Sequence, residues 1–154
     1  MARKLTNKPS TEHWLFKSEP DVFSWDDLVA KGDAGEPWSG VRNYQARNNM
    51  RAMKIGDLGF IYHSNIGKEI AGVCEVIGLA HPDATDDTGK WQCVDVKAVA
   101  GVPRPVTLAA VKANLKLEKM ALAANSRLSV QPVTVQEWAE ICRMGGMKLG
   151  LHKK

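Results

Sequence analysis

Leu58-Gly-Phe-Ile-Tyr-His63 is a short apolar run set between the turn Gly56-Asp57 and the polar pair Ser64-Asn65. Its length and its flanks read as a strand. Two longer stretches of the same kind follow. Glu69 to Ala80 carries Val73, Val76 and Ile77 as core candidates, and in Trp91 to Val99 the residues Val94, Val96 and Ala98 alternate with Asp95 and Lys97. Asp83 to Lys90 forms a hairpin-like loop between these two, and Pro103 and Pro105 are expected to end the sheet segment. Consecutive strands joined by short connections pair antiparallel.

Working outward, His13 to Lys17 is an aromatic strand that ends in the turn Ser18-Glu19-Pro20-Asp21. Ser24 with Asp27 opens a helix over Leu28 and Val29, and Gly32 closes it. Residues 43–53 fit a second helix, with Ala46, Met50 and Met53 on one face. On the far side, Thr107 caps a helix through Leu108, Val111 and Leu115. Lys116 to Ala124 reads as a second short helix, and Asn125 to Pro132 as a loop or short strand. Thr134-x-x-Glu137 is a capping box for a last helix that carries Trp138, Ile141 and Met144 and stops at Gly145-Gly146. The pattern predicts an α+β domain, one strongly curved sheet or small barrel with helices packed around it.

The chain has 154 residues, enough for one domain with its own core. Residues 1–12 read as a flexible arm, 13–146 as the domain and 147–154 as a basic tail. Lys and Arg exceed Asp and Glu by 21 to 17. That excess allows an anionic partner without demanding one, so its distribution matters more than its size. Three cysteines with no C-x-x-C spacing indicate neither a disulfide framework nor a zinc site, and fit a reduced compartment. The polar, basic start is no signal peptide and no apolar run approaches a membrane span, so no membrane partner is expected.

Trp38-Ser-Gly-Val-Arg-Asn-Tyr-Gln-Ala-Arg-Asn-Asn-Met50 is unusually rich in groups that hydrogen-bond without being acids. Asn43, Gln45, Asn48, Asn49 and, further on, Asn65 each offer a donor and an acceptor. Trp38 and Tyr44 add flat rings. This mixture suits a planar ligand carrying phosphate, such as a nucleotide; the plainer reading is a polar turn, a helix and a core strand. Arg47, Arg51 and Lys54 form a basic stripe at helical spacing, either a solvated face or a set of phosphate contacts. Other chemistry is poorly served. His63 reads as a satisfied core histidine, Cys74 as an inert mid-strand thiol, and Asp83, Asp86 and Asp87 as solvated loop acids. No metal and no cofactor is expected. Lys17, Ser18 and Glu19 are the one trio suited to acid–base work, or else a simple ion pair. Ser126-Arg127 suits a phosphate, as many surface arginines do.

Several motifs together carry a resemblance. His13-Trp-Leu-Phe-Lys-Ser-Glu-Pro20, Ser24-Trp-Asp-Asp-Leu28, the Trp38 to Asn49 stretch, Tyr62-His-Ser-Asn65, Pro105-Val-Thr-Leu108, Ser126-Arg-Leu-Ser-Val-Gln-Pro-Val133 and Glu137-Trp138 resemble the EVE domain. The likeness covers roughly residues 13–144. The family's usual acid after the motif tryptophan is Ser39 here. The resemblance implies a PUA-like fold: α+β, with a curved or barrel-like, mixed but mainly antiparallel sheet. It implies similarity to YTH domains, which hold a methylated base in an aromatic cage, and a DNA or RNA partner carrying a modified base. Being similar to bacterial members, the chain is expected in the cytoplasm. Carried over by motif, the ligand pocket falls to Lys17, Ser18, Trp38, Asn43, Ser64 and Asn65. The loop of Ser126, Arg127, Leu128, Ser129 and Val130 makes a further wall, with phosphates on Arg47, Arg51 and Lys54. No catalytic residue is implied. The favoured function is a non-enzymatic binding module. The alternative is a hydrolase of a modified nucleobase or nucleoside, since PUA-like amidohydrolases of the ASCH family use a Lys and a Glu, here Lys17 and Glu19.

Overall fold

A computed structural model describes residues 12–125 and 127–147. The expected arm and tail fall almost wholly outside that range. Six strands form one open sheet. In chain order they are β1 (His13–Ser18), β2 (Glu36–Pro37), β3 (Leu58–His63), β4 (Glu69–Pro82), β5 (Gln92–Thr107) and β6 (Val130–Val133), in the spatial order β2-β5-β4-β3-β1-β6. Every neighbouring pair is antiparallel except β1 with β3, which run parallel with Lys17 beside Tyr62 and Ser18 beside His63. The sheet is strongly irregular rather than closed, with the register of β4 against β5 shifting at four places. Each shift bends and twists the ribbon.

Both faces of the central strands are covered. Trp14, Phe16, Ile61, Cys74 and Val76 face one apolar cluster, with Met50 and Met53, while Leu15, Phe60, Tyr62 and Val73 face the other, with Trp138 and Ile141. Alternate side chains of a strand point to opposite faces, so two covered faces produce the continuous apolar runs seen in the sequence. Helix α2 (Tyr44–Ala52) lies on the first face with Ala46, Met50 and Met53 buried as expected. Helices α3 (Leu108–Ala113), α4 (Ala121–Ala124) and α5 (Val135–Gly145) belong to the second.

Local signals were mostly obeyed. The capping boxes of α1 (Trp25–Ala30) and α5 are both formed, and Gly146 ends α5 in the left-handed region. Three expectations need correction. Pro103 and Pro105 do not end the sheet, because β5 runs on to Thr107. They sit between Gly101 and Val106, where the pairing with β4 skips a stretch, and there a missing N–H costs no ladder bond. Lys116 to Ala124 is not one helix but a 3-10 turn at Leu115–Leu117 followed by α4, and Leu115 is solvent-exposed rather than packed. Asp83 is not a solvated acid. It is buried, and it accepts from the Gly40 N–H, the Arg42 guanidinium and Thr85. Burial alone would raise its pKa, but those donors outweigh burial and hold it down to about 2. The 83–91 loop is thereby tied to the segment that follows Trp38.

Candidate functional site

The parallel pair determines where the surface opens. β1 and β3 end side by side, and beyond Ser18 and His63 the chain leaves in two directions. The Ser64 N–H donates to the Ser18 carbonyl (2.9 Å), holding the two exits together at their base. Above that tie lies a cavity of about 480 Å³, with Lys17, Ser18, Glu19, Tyr62, Ser64 and Asn65 on the strand side and Lys68, Arg127 and Ser129 across from them. A third wall is fixed by the Lys17 N–H donating to the Ser129 carbonyl (2.9 Å) and by buried Gln131, whose side-chain amide donates to the Leu128 carbonyl (2.8 Å).

The rim loop is unusual. Asn65 and Lys68 both have positive φ, 68° and 48°, though neither is glycine, and Gly67 between them adopts 84°. Asparagine tolerates this region better than most residues; lysine gains nothing from it. The loop is anchored at its far end by the Leu108 N–H donating to the Lys68 carbonyl (2.8 Å).

Ser18 also lines a second depression of about 290 Å³, with Val22, Phe23, Glu36, Pro37, Trp38 and Ser39. Trp38 is 7% exposed, with Phe16 and Phe23 edge-on to its ring at 5.4 and 6.0 Å. Its backbone N–H donates to the Val94 carbonyl (2.8 Å). The ring is therefore held rigidly, part core and part wall. Ser18 Oγ donates to the Phe23 carbonyl (2.5 Å), which uses its one hydrogen and leaves its oxygen to accept from a ligand.

Electrostatically the larger cavity is basic. Lys17 is half-buried; its desolvation lowers its pKa from the ordinary lysine value, and its ammonium lies 6.0 Å from the Tyr62 ring centre. Burial likewise raises the pKa of Tyr62. His63 is satisfied as expected: its Nε2 accepts the Trp25 backbone N–H (2.9 Å), which docks α1 beside the site. Gly72 gives that docking room, since any Cβ there would collide with the Trp25 ring. Cys74 is fully buried and its thiol is pushed far up by desolvation, which keeps it unreactive. Among the described residues no three His, Cys, Asp or Glu side chains are grouped to hold a metal ion.

Of the residues expected from the sequence, Lys17, Ser18, Ser64, Asn65, Arg127 and Ser129 line one cavity, and Trp38 lines the other. Ser126 lies outside the described residues. Leu128 points into the core, and Asn43 spends its side-chain oxygen capping α2 by accepting the Ala46 N–H (2.8 Å). Neither lines either cavity. Arg47, Arg51 and Lys54 stand apart on α2. The sequence reading passed over Tyr62, Lys68, Phe23 and Ser39 as wall residues. Ser39 could have been found, as the position that departs from the family pattern inside the motif.

An open sheet with one parallel pair, flanked by helices on both faces, defines a domain of the PUA-like fold class. The chain belongs to the EVE domain family, whose model matches residues 12–144. Human thymocyte nuclear protein 1 is 37% identical over 169 residues, covering 89% of this chain and 75% of the relative. The crystal structure of human THYN1 protein in complex with 5-methylcytosine-containing DNA superposes with a TM-score of 0.83 at 36% identity, covering 90% of this chain and 99% of that one. Protein Atu2648 from Agrobacterium tumefaciens gives a TM-score of 0.88 at 60% identity, covering 89% and 94%. The YTH domain of Zygosaccharomyces rouxii MRB1 protein shares the fold at 18% identity and a TM-score of 0.53. No helix among the described residues is long and apolar enough to cross a membrane.

Proposed function

We propose that this chain is a non-enzymatic module that binds DNA or RNA by accommodating a modified base. The observation that carries the reading is the meeting of two unlike depressions at Ser18, one walled by Trp38 and Phe23 and the other by Lys17, Lys68 and Arg127. A base lifted from its stack needs a ring to lie against and short polar groups at its edge, and its phosphates need cations close by. Trp38 supplies the ring. Ser18, Ser39, Ser64 and Asn65 supply short polar edges, with Asn43 and Leu128 bracing the segments they stand on. Lys17 and Arg127 take the nearest phosphate, with Ser129 beside it, and Arg47, Arg51 and Lys54 take phosphates further along the strand. The relative that binds 5-methylcytosine-containing DNA supports methylcytosine as the first base to test.

The test is a titration with oligonucleotides identical except for cytosine or 5-methylcytosine, and for adenine or N6-methyladenine, in DNA and RNA. Capture of cellular nucleic acid followed by mass spectrometry of its nucleosides identifies the base without choosing it beforehand. Enrichment of a modified nucleoside is expected. Binding that is indifferent to every modification would refute the reading.

A further inference from the structure

The start of α2 carries a cluster that neither cavity uses. Tyr44 and Trp91 stack with ring centres 4.8 Å apart and planes 28° from parallel. The Arg47 guanidinium lies 4.8 Å from the Tyr44 ring centre and 5.8 Å from that of Trp91. If the indole and the guanidinium covered opposite faces of Tyr44, they would lie apart by the sum of the two 4.8 Å distances. At 5.8 Å they crowd toward one side of the phenol. Tyr44 is 55% exposed, so much of its surface remains open to a further partner.

Arg47 is set rather than floppy. Three of its five N–H groups are used: its NH1 donates to the Lys90 carbonyl (2.9 Å), and its Nε and NH2 donate to Asn48 Oδ1 (3.3 and 3.1 Å). One N–H on each terminal nitrogen is left for an acceptor. Among the described residues Arg47, Arg51, Lys54 and Lys90 are in no ion pair. The neighbouring acids are already engaged: Asp83 is buried under Arg42 and Gly40, and Asp86 accepts from Thr88 and the Trp91 N–H. The patch is a flat ring bordered by cations whose charge nothing in the described chain neutralises. A polyanion that also carries flat rings complements it on both counts.

From this geometry we infer that Tyr44, backed by Trp91, stacks a second, unmodified nucleobase of the bound strand, and that Arg47 grips the adjoining phosphate. The inference rests on the base-pocket reading and extends it from one nucleotide to a strand. Tyr44 and Trp38 are six positions apart, so the two rings belong to one stretch of chain no longer than roughly 20 Å. A strand that enters the pocket therefore passes within reach of the platform.

The measurement compares wild type, Tyr44→Ala, Tyr44→Phe and Trp38→Ala on two probes: free 5-methyl-deoxycytidine monophosphate, and single-stranded DNA extended on both sides of one 5-methylcytosine. Tyr44→Ala should weaken the extended strand by about five- to 150-fold, leave the mononucleotide unchanged, and be rescued by Tyr44→Phe. Equal binding of the strand by wild type and Tyr44→Ala overturns the inference. So does an equal loss on strand and mononucleotide, which would mean that the ring only shapes the pocket. Should Tyr44→Ala fail to fold, wild-type protein irradiated with 5-iodouracil-containing strands decides the matter. An adduct on the Tyr44 peptide supports the platform, and adducts elsewhere only refute it. Loss in Tyr44→Ala with none in Trp38→Ala would sink the base pocket and leave the platform standing.

Discussion

Replacing Trp38 separates its structural part, which follows from its burial, from the stacking role proposed above. The ring is almost wholly enclosed, with Phe16 and Phe23 against it. Truncating so buried a tryptophan to alanine costs about 3–5 kcal/mol of stability, through lost burial and the cavity left behind. For a domain of this length that lowers the melting temperature by about 6–20 °C. Stacking adds a separate term in binding, about 1–3 kcal/mol, or five- to 150-fold in Kd. Trp38→Ala therefore needs a companion. Trp38→Phe keeps a ring against Phe23 and should recover most of the melting temperature and part of the affinity. Both are titrated against oligonucleotides with cytosine or 5-methylcytosine, well below the lower melting point. A single methyl in a pocket discriminates by only about 1–3 kcal/mol, so wild type should separate the two probes by no more than about 150-fold. Trp38→Ala should erase most of that separation. If it stays folded and binds both probes as wild type does, the stacking role is wrong. If it loses affinity for both by the same factor, Trp38 takes no part in reading the methyl group.

Three further outcomes are expected. Arg51→Ala with Lys54→Ala should lower the slope of log affinity against log salt by about 0.7 per single-strand phosphate contact removed, and an unchanged slope returns both to a solvated face. Lys17 has a depressed pKa in the folded state, so on raising the pH it loses its proton before a free lysine does. Phosphate affinity should fall as pH rises through that lowered value while fold stability rises slightly across the same window, the unfolded chain holding more protons there; Lys17→Arg should hold its affinity to higher pH. Asp83 is depressed from 3.8 to about 2, so its contribution is complete above pH 3.8 and is lost as the pH falls through about 2. Asp83→Asn should lower stability at neutral pH by about 1–2 kcal/mol, and its urea midpoints should converge with those of wild type near pH 2.

How much of this was legible in the sequence depends on the range over which each signal acts. Caps are local, and Ser24, Thr107 and Thr134 each start a helix where their residue types say they should. Apolar periodicity is nearly local, and it placed Ala46, Met50 and Met53 in the core. The parallel pairing of β1 with β3 is not local. It joins segments separated by two helices, and no residue type in either strand announces it. The site inherits that pairing, so from spacing alone Lys17 and Ser64 have no reason to meet. The family motifs brought Lys17, Ser18, Ser64 and Asn65 together, and the register of β1 on β3 supplies the physical reason. Asp83 was misjudged for the same reason. Its partners Gly40 and Arg42 lie far away in sequence, and a loop acid looks solvated until its donors are seen.

The rim loop shows what the fold alone does not require. A connection from β3 to β4 needs only a turn, and turn residues with positive φ are normally glycine or asparagine. Here the chain uses Asn65 and Gly67, and then places Lys68 in the same region at a cost of roughly 1–3 kcal/mol. A glycine at that position would remove the strain and the side chain together. What the lysine provides instead is a cation in the cavity lining, on a backbone held by the bond from Leu108. Strain retained where a glycine would relieve it is best explained by the side chain's charge, and in this cavity Lys17 and Arg127 carry the same sign. Lys17, Lys68 and Arg127 come from three separate segments to the lining of one cavity, against the single carboxylate of Glu19 there. That convergence favours an anionic ligand over a neutral one, independently of any relative.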